Sequence, residues 1–412
     1  MKKYIDLIKE YSKNTYQQMV REPEGYLKEP FIVPGSQRYS NCLWDWDSWL
    51  TNIAVRQIMV DNDDYSENFI RCEKGCIINF LTHSAEDGRM PVYIKPEEYG
   101  FFDDAESNTH KPCLAQHAAF IIKTNGGDAQ WMKPYIGKLK RFVDFYITHC
   151  RHEDTQLYFW LDDAGIGVDN DPSTFYRPKK SSASIYLNCL MYKELLALVY
   201  ICSLIDEDAE VYQREAENLK RTIRTHLWDE RDGFYYSADL NLLPVDENVY
   251  LHRGAPRHWN CLIQRIDVWS GFMAMWAGIA TKEEADRMVK EHMLNEKTFW
   301  APYGVRTLSK LEKMYCIKKS GNPSCWLGPI WGISNWMCFK GLIDYGFDKE
   351  AKQLVEKTIR LFGEDIERCG EMHEYYHPDT GEGVHNQGFQ NWNLFVNNMI
   401  AWYERRELVK EF

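Results

Sequence analysis

The sequence predicts an all-α protein, a single-domain (α/α)6 barrel of six helical hairpins over residues 1–412. Three observations carry this. Apolar residues recur at helical spacing from end to end, in about twelve stretches. β signals are few and local. Every second helix follows a long loop of unusual composition, while the turns between are short and plain. An irregular all-α solenoid is the competing arrangement of the same helices.

The periodicity places helices at roughly 3–20, 47–60, 66–80, 113–124, 131–149, 184–205, 208–227, 268–278, 282–293, 330–345, 348–364 and 390–405. Capping residues mark several starts: Ser66 with Glu67, Thr281 with Glu284, and Asp348 with Lys349 and Glu350. Pro112 stands at a favoured first-turn position of the fourth helix. Gly346 sits where a C-terminal cap is expected. The run DERDGFYYSADL at 229–240 reads as a short hairpin around Asp232 and Gly233. No Pro/Gly/Ser-rich linker or low-complexity segment divides the chain.

The net charge of −12 argues against nucleic acid or an anionic membrane as partner. No apolar run is read as long enough to span a bilayer. The opening MKKYIDLIKEYSKNTYQQ lacks the apolar core of a secretory signal. The 12 cysteines are scattered singly with no CxxC pair, which suits reduced, buried thiols in a cytoplasmic protein. His110, His117, His373, His377 and His385 lack the spacing of a helical metal site. No phosphate cradle and no GxSxG elbow occurs. Neither metal nor cofactor is therefore expected. The aromatic content, Trp 15, Tyr 25 and Phe 19, serves cores and equally the faces of sugar rings.

The long loops hold LWDWDSW (43–49), NTHKPCLAQH (108–117), GIGVDNDPS (165–173), RIDVWSG (265–271), CWLGPIWG (325–332) and HEYYHPDTGEGVHNQGFQNW (373–392). In a toroid whose helices alternate outer and inner, all six open on one end, the expected place for a site. LWDWDSW supplies flat rings, Trp44 and Trp46, beside Asp45 and Asp47, the combination sugar hydroxyls need; an Asp here also serves as a plain helix cap. Gly165 and Gly167 allow a sharp loop that pushes Asp169 inward, with Asp162 and Asp163 as rivals; a DNDP run is also an ordinary Asx-turn. Glu374 stands among His373, Tyr375 and Tyr376, placed to activate water or to join an ordinary hydrogen-bond network. Lys111 and Gln116 offer bonds to substrate, and Lys111 equally suits a loop acid. Trp326 and Trp331 flank a Gly-Pro turn, where packing between helices competes with ligand stacking.

In the combination LWDWDSW, HKPxLAQ, GxDNxP, GPIWG and EYYxPxTG followed by GFxxW, the chain resembles glycoside hydrolase family 63, and within it the small bacterial glucosylglycerate and mannosylglycerate hydrolases. It is more distantly similar to trehalases. The resemblance runs from about Val33 to Trp392 with the motifs in family order. It implies an (α/α)6 barrel and hydrolysis with inversion, Asp169 as general acid and Glu374 as general base. It implies a sugar pocket of Trp44, Trp46, Asp47 and Gln116, with Trp326 and Trp331 from the GPIW motif; Lys111 and Tyr375 complete the expected substrate contacts. Two departures, Leu327 for the usual Arg and Asp171 for Ser, bear on substrate identity. The barrel is expected to stand without the β-sandwich domain that precedes it in many relatives, which fits a small soluble glycoside. An inverting pair stands about 6.5–9.5 Å apart, and burial beside Asp171 or Asp47 is expected to keep Asp169 protonated. A trehalase-like disaccharide hydrolase, a sugar epimerase using His110, His373 or His385, and a non-catalytic sugar-binding protein are the alternatives.

Overall fold

The computed structural model describes residues 1–64, 67–101, 107–242, 250, 253–254, 257–317 and 323–412. Among them are twelve α-helices: α1 (Lys2–Thr15), α2 (Asp45–Asn62), α3 (Glu67–Thr82), α4 (Leu114–Thr124), α5 (Ile136–His149), α6 (Ile185–Leu204), α7 (Glu210–His226), α8 (Met273–Trp276), α9 (Lys282–Arg287), α10 (Gly332–Asp344), α11 (Asp348–Cys369) and α12 (Phe395–Tyr403). Each falls on a predicted stretch. α2 packs on α4, α4 on α6, α6 on α8, α8 on α10, α10 on α12, and α12 back on α2. That closes a ring of six, and α1, α3, α5, α7 and α11 pack against its outside. The fold is an (α/α)6 barrel.

Burial explains the alternation. In α7 only Tyr212, Ala216, Leu219, Thr222 and Ile223 are buried, one stripe at helical spacing. α4 buries every residue from Leu114 to Ile122, as a helix walled on all sides must. Ile185–Leu204 is, by length and mean hydropathy of 1.4, apolar enough to cross a membrane, which corrects the expectation that no segment is. Its apolar window is 72% buried inside the ring, and its apolarity is that of a core helix.

Local signals fare unevenly. Thr281 and Glu284 form a full capping box, Gly346 follows α10 at φ 82°, and Trp228–Asp229 pairs with Phe234–Tyr235 around Asp232 and Gly233. Asp348 opens α11 but makes no capping bond, Phe347 holding the cap position. Pro112 precedes the cap residue of α4, Cys113, and so lies outside the helix. Ser66 lies outside the described residues.

Three short antiparallel sheets are unforeseen. Leu43–Trp44 pairs with Tyr93–Ile94 and through it with Tyr99–Gly100; Ser182–Ala183 with Ser237–Asp239 and Leu262–Gln264; Ile330–Trp331 with Tyr375–Tyr376 and Gly383–His385. The first strand of each runs directly into α2, α6 or α10 or stops one residue short of it. The other two strands of each come from the connection leading to the next inner helix. Each sheet thus staples neighbouring loops at the mouth of the ring.

The opposite end is crossed by residues 407–412. The Glu407 carbonyl and Val409 N–H bond Gln57 of α2, and Asn398 of α12 donates to the Val409 carbonyl. Trp276 of α8 donates to Glu411, Lys193 of α6 to the Phe412 carbonyl, and Lys123 of α4 stands 4.4 Å from the Phe412 ring centre. Deleting residues 407–412 leaves these polar groups unpaired inside the ring and is expected to lower Tm by about 5 °C or more, measured by thermal unfolding.

Candidate active site

At the loop end a cavity of about 570 Å³ is lined by residues from five of the six long connections, among them Trp44, Trp46, Asp47, Lys111, Asp169, Trp326, Trp331 and Glu374. The sixth, RIDVWSG, does not reach it; its Trp269 stacks behind Trp326 at 6.2 Å and 22°.

The loop carrying Asp169 is built to approach closely. Gly165 and Gly167 have φ of 74° and 86°, in the region glycine tolerates best. A Cβ on Gly167 would stand 2.7 Å from both Lys111 Cε and Trp46 Cζ2, so the backbone lies directly on those two side chains. Asn108 clamps the preceding turn by donating to the carbonyls of Asp162 and Ala164 and accepting from Leu161 N–H. Asn170 Oδ1 accepts the Trp326 N–H at 2.7 Å and ties this loop to CWLGPIWG. Asp169 is half-buried on the cavity wall, where its rival Asp163 also lies. Asp171 turns away: its carboxylate accepts from Ser173 N–H and Oγ, both at 2.8 Å. The Asx-turn reading holds for that residue.

Glu374 leads into the strand Tyr375–Tyr376 and is buried. Its Oε2 accepts from Asn386 Nδ2 at 2.8 Å. Burial pushes its carboxyl up to about 7, against Asn386 and the Arg38 guanidinium, while Asp169 adds to the rise. The two carboxylates therefore share one cavity and feel each other's charge. Asp47, in the first turn of α2, accepts from Asn391, which itself accepts from Thr51. Burial, then the Asp45 charge, push Asp47 up to about 8 against the pull of Lys111.

Trp326 and Trp331 stack face to face at 3.9 Å and 10°, and Tyr375 lies on Trp331 at 5.0 Å. The two indoles serve packing and cavity wall at once. Trp46 and Trp392 meet edge to face at 5.2 Å and complete the aromatic side. Tyr375 itself is not among the lining residues; its hydroxyl donates to the Pro323 carbonyl. Lys111 lines the cavity, but its ammonium is held by both oxygens of Asp45 at 2.9 Å, so the loop-acid reading applies. Gln116 is brought nowhere near: its amide donates to the carbonyls of Pro112 and Leu190 between α4 and α6. Neither Leu327 nor Asp171 lines the cavity, so neither departure touches it directly. Sequence reasoning missed Arg38, Tyr39 and Lys95 on the wall and the two asparagines that hold the carboxylates. Trp392 closed the quoted GFxxW motif and was legible there.

Paired carboxylates facing stacked indoles at the mouth of an (α/α)6 barrel define the class, a carbohydrate-active enzyme. Residues 39–392 match the family described as the mannosylglycerate hydrolase MGH1-like glycoside hydrolase domain, and the chain belongs to that family, within glycoside hydrolase family 63. It is 26% identical over 245 residues to the mannosylglycerate hydrolase of Thermus thermophilus, covering 59% of this chain and 51% of that protein. It is 23% identical over 246 residues to the cytosolic neutral trehalase of Kluyveromyces lactis, covering 56% of this chain and 30% of that protein. The chain thus spans about half or less of the length of these curated relatives. Among solved structures, the mannosylglycerate hydrolase of Thermus thermophilus in complex with glucose superposes with a TM-score of 0.67 at 18% identity, over 96% of this chain and 98% of that one. The neutral trehalase of Saccharomyces cerevisiae gives 0.62 at 16%, over 94% and 79%.

Two expectations follow. Gly167→Ala forces the loop off Trp46 and Lys111 and should lower kcat/KM by about a hundredfold, measured on any glycoside turned over. Asp47 keeps a proton in the folded state that the unfolded chain sheds above about pH 4, so its contribution to stability is lost as pH rises toward 8. Asp47→Asn should match the wild type in Tm near pH 5 and exceed it by a few degrees at pH 9, with thermal melts across that range as the measurement.

Proposed function

We propose that the protein is an inverting glycoside hydrolase acting on a small α-glucoside or α-mannoside, of the glucosylglycerate or mannosylglycerate kind. Asp169 is the general acid and Glu374 the general base. One observation carries the reading: two carboxylates from distant loops enter the same aromatic-walled cavity. Asp169 gives its proton to the glycosidic oxygen as the bond to the anomeric carbon breaks. Glu374 takes a proton from the water that attacks the opposite face, and the sugar leaves with inverted configuration. Trp46, Trp326 and Trp331 offer ring faces to the sugar, and Asp47 a hydrogen-bonding group beside them. Arg38 and Lys95 supply positive charge on the same wall, which suits an aglycone bearing a carboxylate. The side chains' part in this displacement is proton transfer, and no metal or organic cofactor is required. We place the enzyme in the cytoplasm: all 12 cysteines are free thiols, and cytosolic neutral trehalases are among its relatives.

A trehalase-like activity is the second reading, favoured by those same relatives. The epimerase reading is not: among the described residues only His385 of the three histidines lines the cavity. His110 bonds the Lys111 carbonyl under the loop, and His373 pairs with Asp365.

The anomeric proton, followed by NMR during turnover of an α-glycoside panel, tests the mechanism. Inversion releases β-sugar first; α-sugar rules out the proposed base. Asp169→Ala and Glu374→Ala should each lower kcat about a thousandfold or more with the fold intact, and near-full activity in either removes that residue. A base must be ionised to act. With Glu374 titrating at about 7, kcat/KM should fall about tenfold per pH unit below that value.

A further inference from the structure

Asp365 is the one charged residue of α11 that is buried, its side chain fully enclosed. Its Oδ2 takes the Tyr376 hydroxyl at 2.9 Å and His373 Nδ1 at 2.8 Å, and its Oδ1 takes Arg368 Nη2 at 2.8 Å. Burial acts to push its carboxyl up, and His373, Arg368 and Tyr376 together hold it below the usual carboxylate range. Asp365, Cys369 and His373 bring ligand atoms within 4.8 Å of one another. With three donors already on the carboxylate, one of them a guanidinium, the group is a hydrogen-bonded cluster and a poor seat for a cation.

Two of the three residues that Asp365 gathers, His373 and Tyr376, stand on either side of Glu374 in the chain. The Tyr376 hydroxyl is used twice: it donates to Asp365 and accepts the His373 N–H at 2.7 Å, closing the chain over residues 373–376. Asn393 donates to the His373 carbonyl at 2.7 Å, and Glu374 N–H donates to the His385 carbonyl at 2.9 Å. The His373 ring lies hard against Gly383, where a Cβ would meet its Cγ at 2.2 Å. Opposite, Tyr375 pairs with His385 and Tyr376 with Gly383, a bulge that leaves Val384 over. Bulges beside active sites re-aim a side chain; this one needs the peptide on its partner strand held still.

We propose that Asp365 is a positioning residue for the general base: through His373 and Tyr376 it fixes the backbone that delivers the Glu374 carboxylate to the cavity. The proposal rests on the reading of Glu374 as base. Asp365, His373 and Tyr376 all lie off the cavity wall. Glu374 is also faced by Asp47 from α2, by Arg38 and Tyr39 from the turn before it, by Asp169 from its loop and by His385 from the paired strand.

The test measures kcat, KM and the pH profile of kcat/KM for Asp365→Asn and Tyr376→Phe, with Glu73→Gln as a stability control. Glu73 pairs with Arg56 between α2 and α3, away from the cavity. Tyr376→Phe keeps the ring and removes only the doubly used hydroxyl, so it carries the test even if Asp365→Asn fails to fold. A displacement of the base by about 1 Å costs on the order of a hundredfold. Expected in both variants are a kcat loss of about ten- to a hundredfold, KM within about twofold, and an acid limb moved to lower pH as water reaches a loosened carboxyl. Glu73→Gln should lower Tm and leave the limb where it is. Wild-type kcat and limb in Tyr376→Phe overturn the proposal, as does the same limb shift in Glu73→Gln. Glu374→Gln, run alongside, separates the two readings. Retained turnover there removes the base itself; lost turnover with an unaltered Tyr376→Phe removes only the positioning role.

Discussion

The ion pair of Lys111 with Asp45 is the joint from which the mouth of the barrel is built. Both side chains are enclosed, and Asp45 also accepts the Lys111 backbone N–H at 3.0 Å, so one carboxylate fastens the start of α2 to the turn before α4. The ammonium lies 5.3 Å from the Trp46 ring centre, and Gly167 rests on both. One contact thus sets the seat of an indole on the cavity wall and the height of the loop that carries Asp169. Removing one partner of such a pair costs about 3–5 kcal/mol, because the other charge is stranded. The joint is therefore costly to break by halves, and it is specific: no apolar pair could present a cation beneath an aromatic face and a flat surface for a glycine.

Around this joint the protein holds two further carboxylates on the cavity wall. Glu374 and Asp47 are both lifted by burial, and each is offered a single asparagine donor, Asn386 and Asn391. Both asparagines sit at positive φ, 47° and 31°, a conformation Asn reaches more readily than most residues. Backbone strain is thereby accepted at the site in order to aim amides at acids. The result is a cavity whose acids differ in environment, Asp169 half open and Glu374 enclosed.

Much of this was legible from residue order. Helical period placed all twelve helices, since each must bury a stripe or a whole circumference. The six odd loops located the mouth, because the chain can afford Gly, Asp and Trp clusters only where regular packing ends. What stayed hidden depends on partners distant along the chain. Lys111 looked like a ligand contact because nothing local reveals that Asp45 claims it. Gln116, one turn into α4, faces α6 and is consumed there by two carbonyls, a matter of helix rotation that motif position does not convey. Arg38 and Tyr39 lie in an unremarkable stretch, and Asn386 and Asn391 look like loop residues until their φ is known. The three small sheets escaped because two- and three-residue strands carry too little alternation to register.

The crossing of the ring's far end by residues 407–412 gives the molecule a floor. Five of the six inner helices are joined by that short segment, so this end of the ring is closed and the cavity lies at the other. Whatever descends to Asp169 and Glu374 must back out the way it came. A chain running along the axis of the ring meets that crossing segment and has no straight way out.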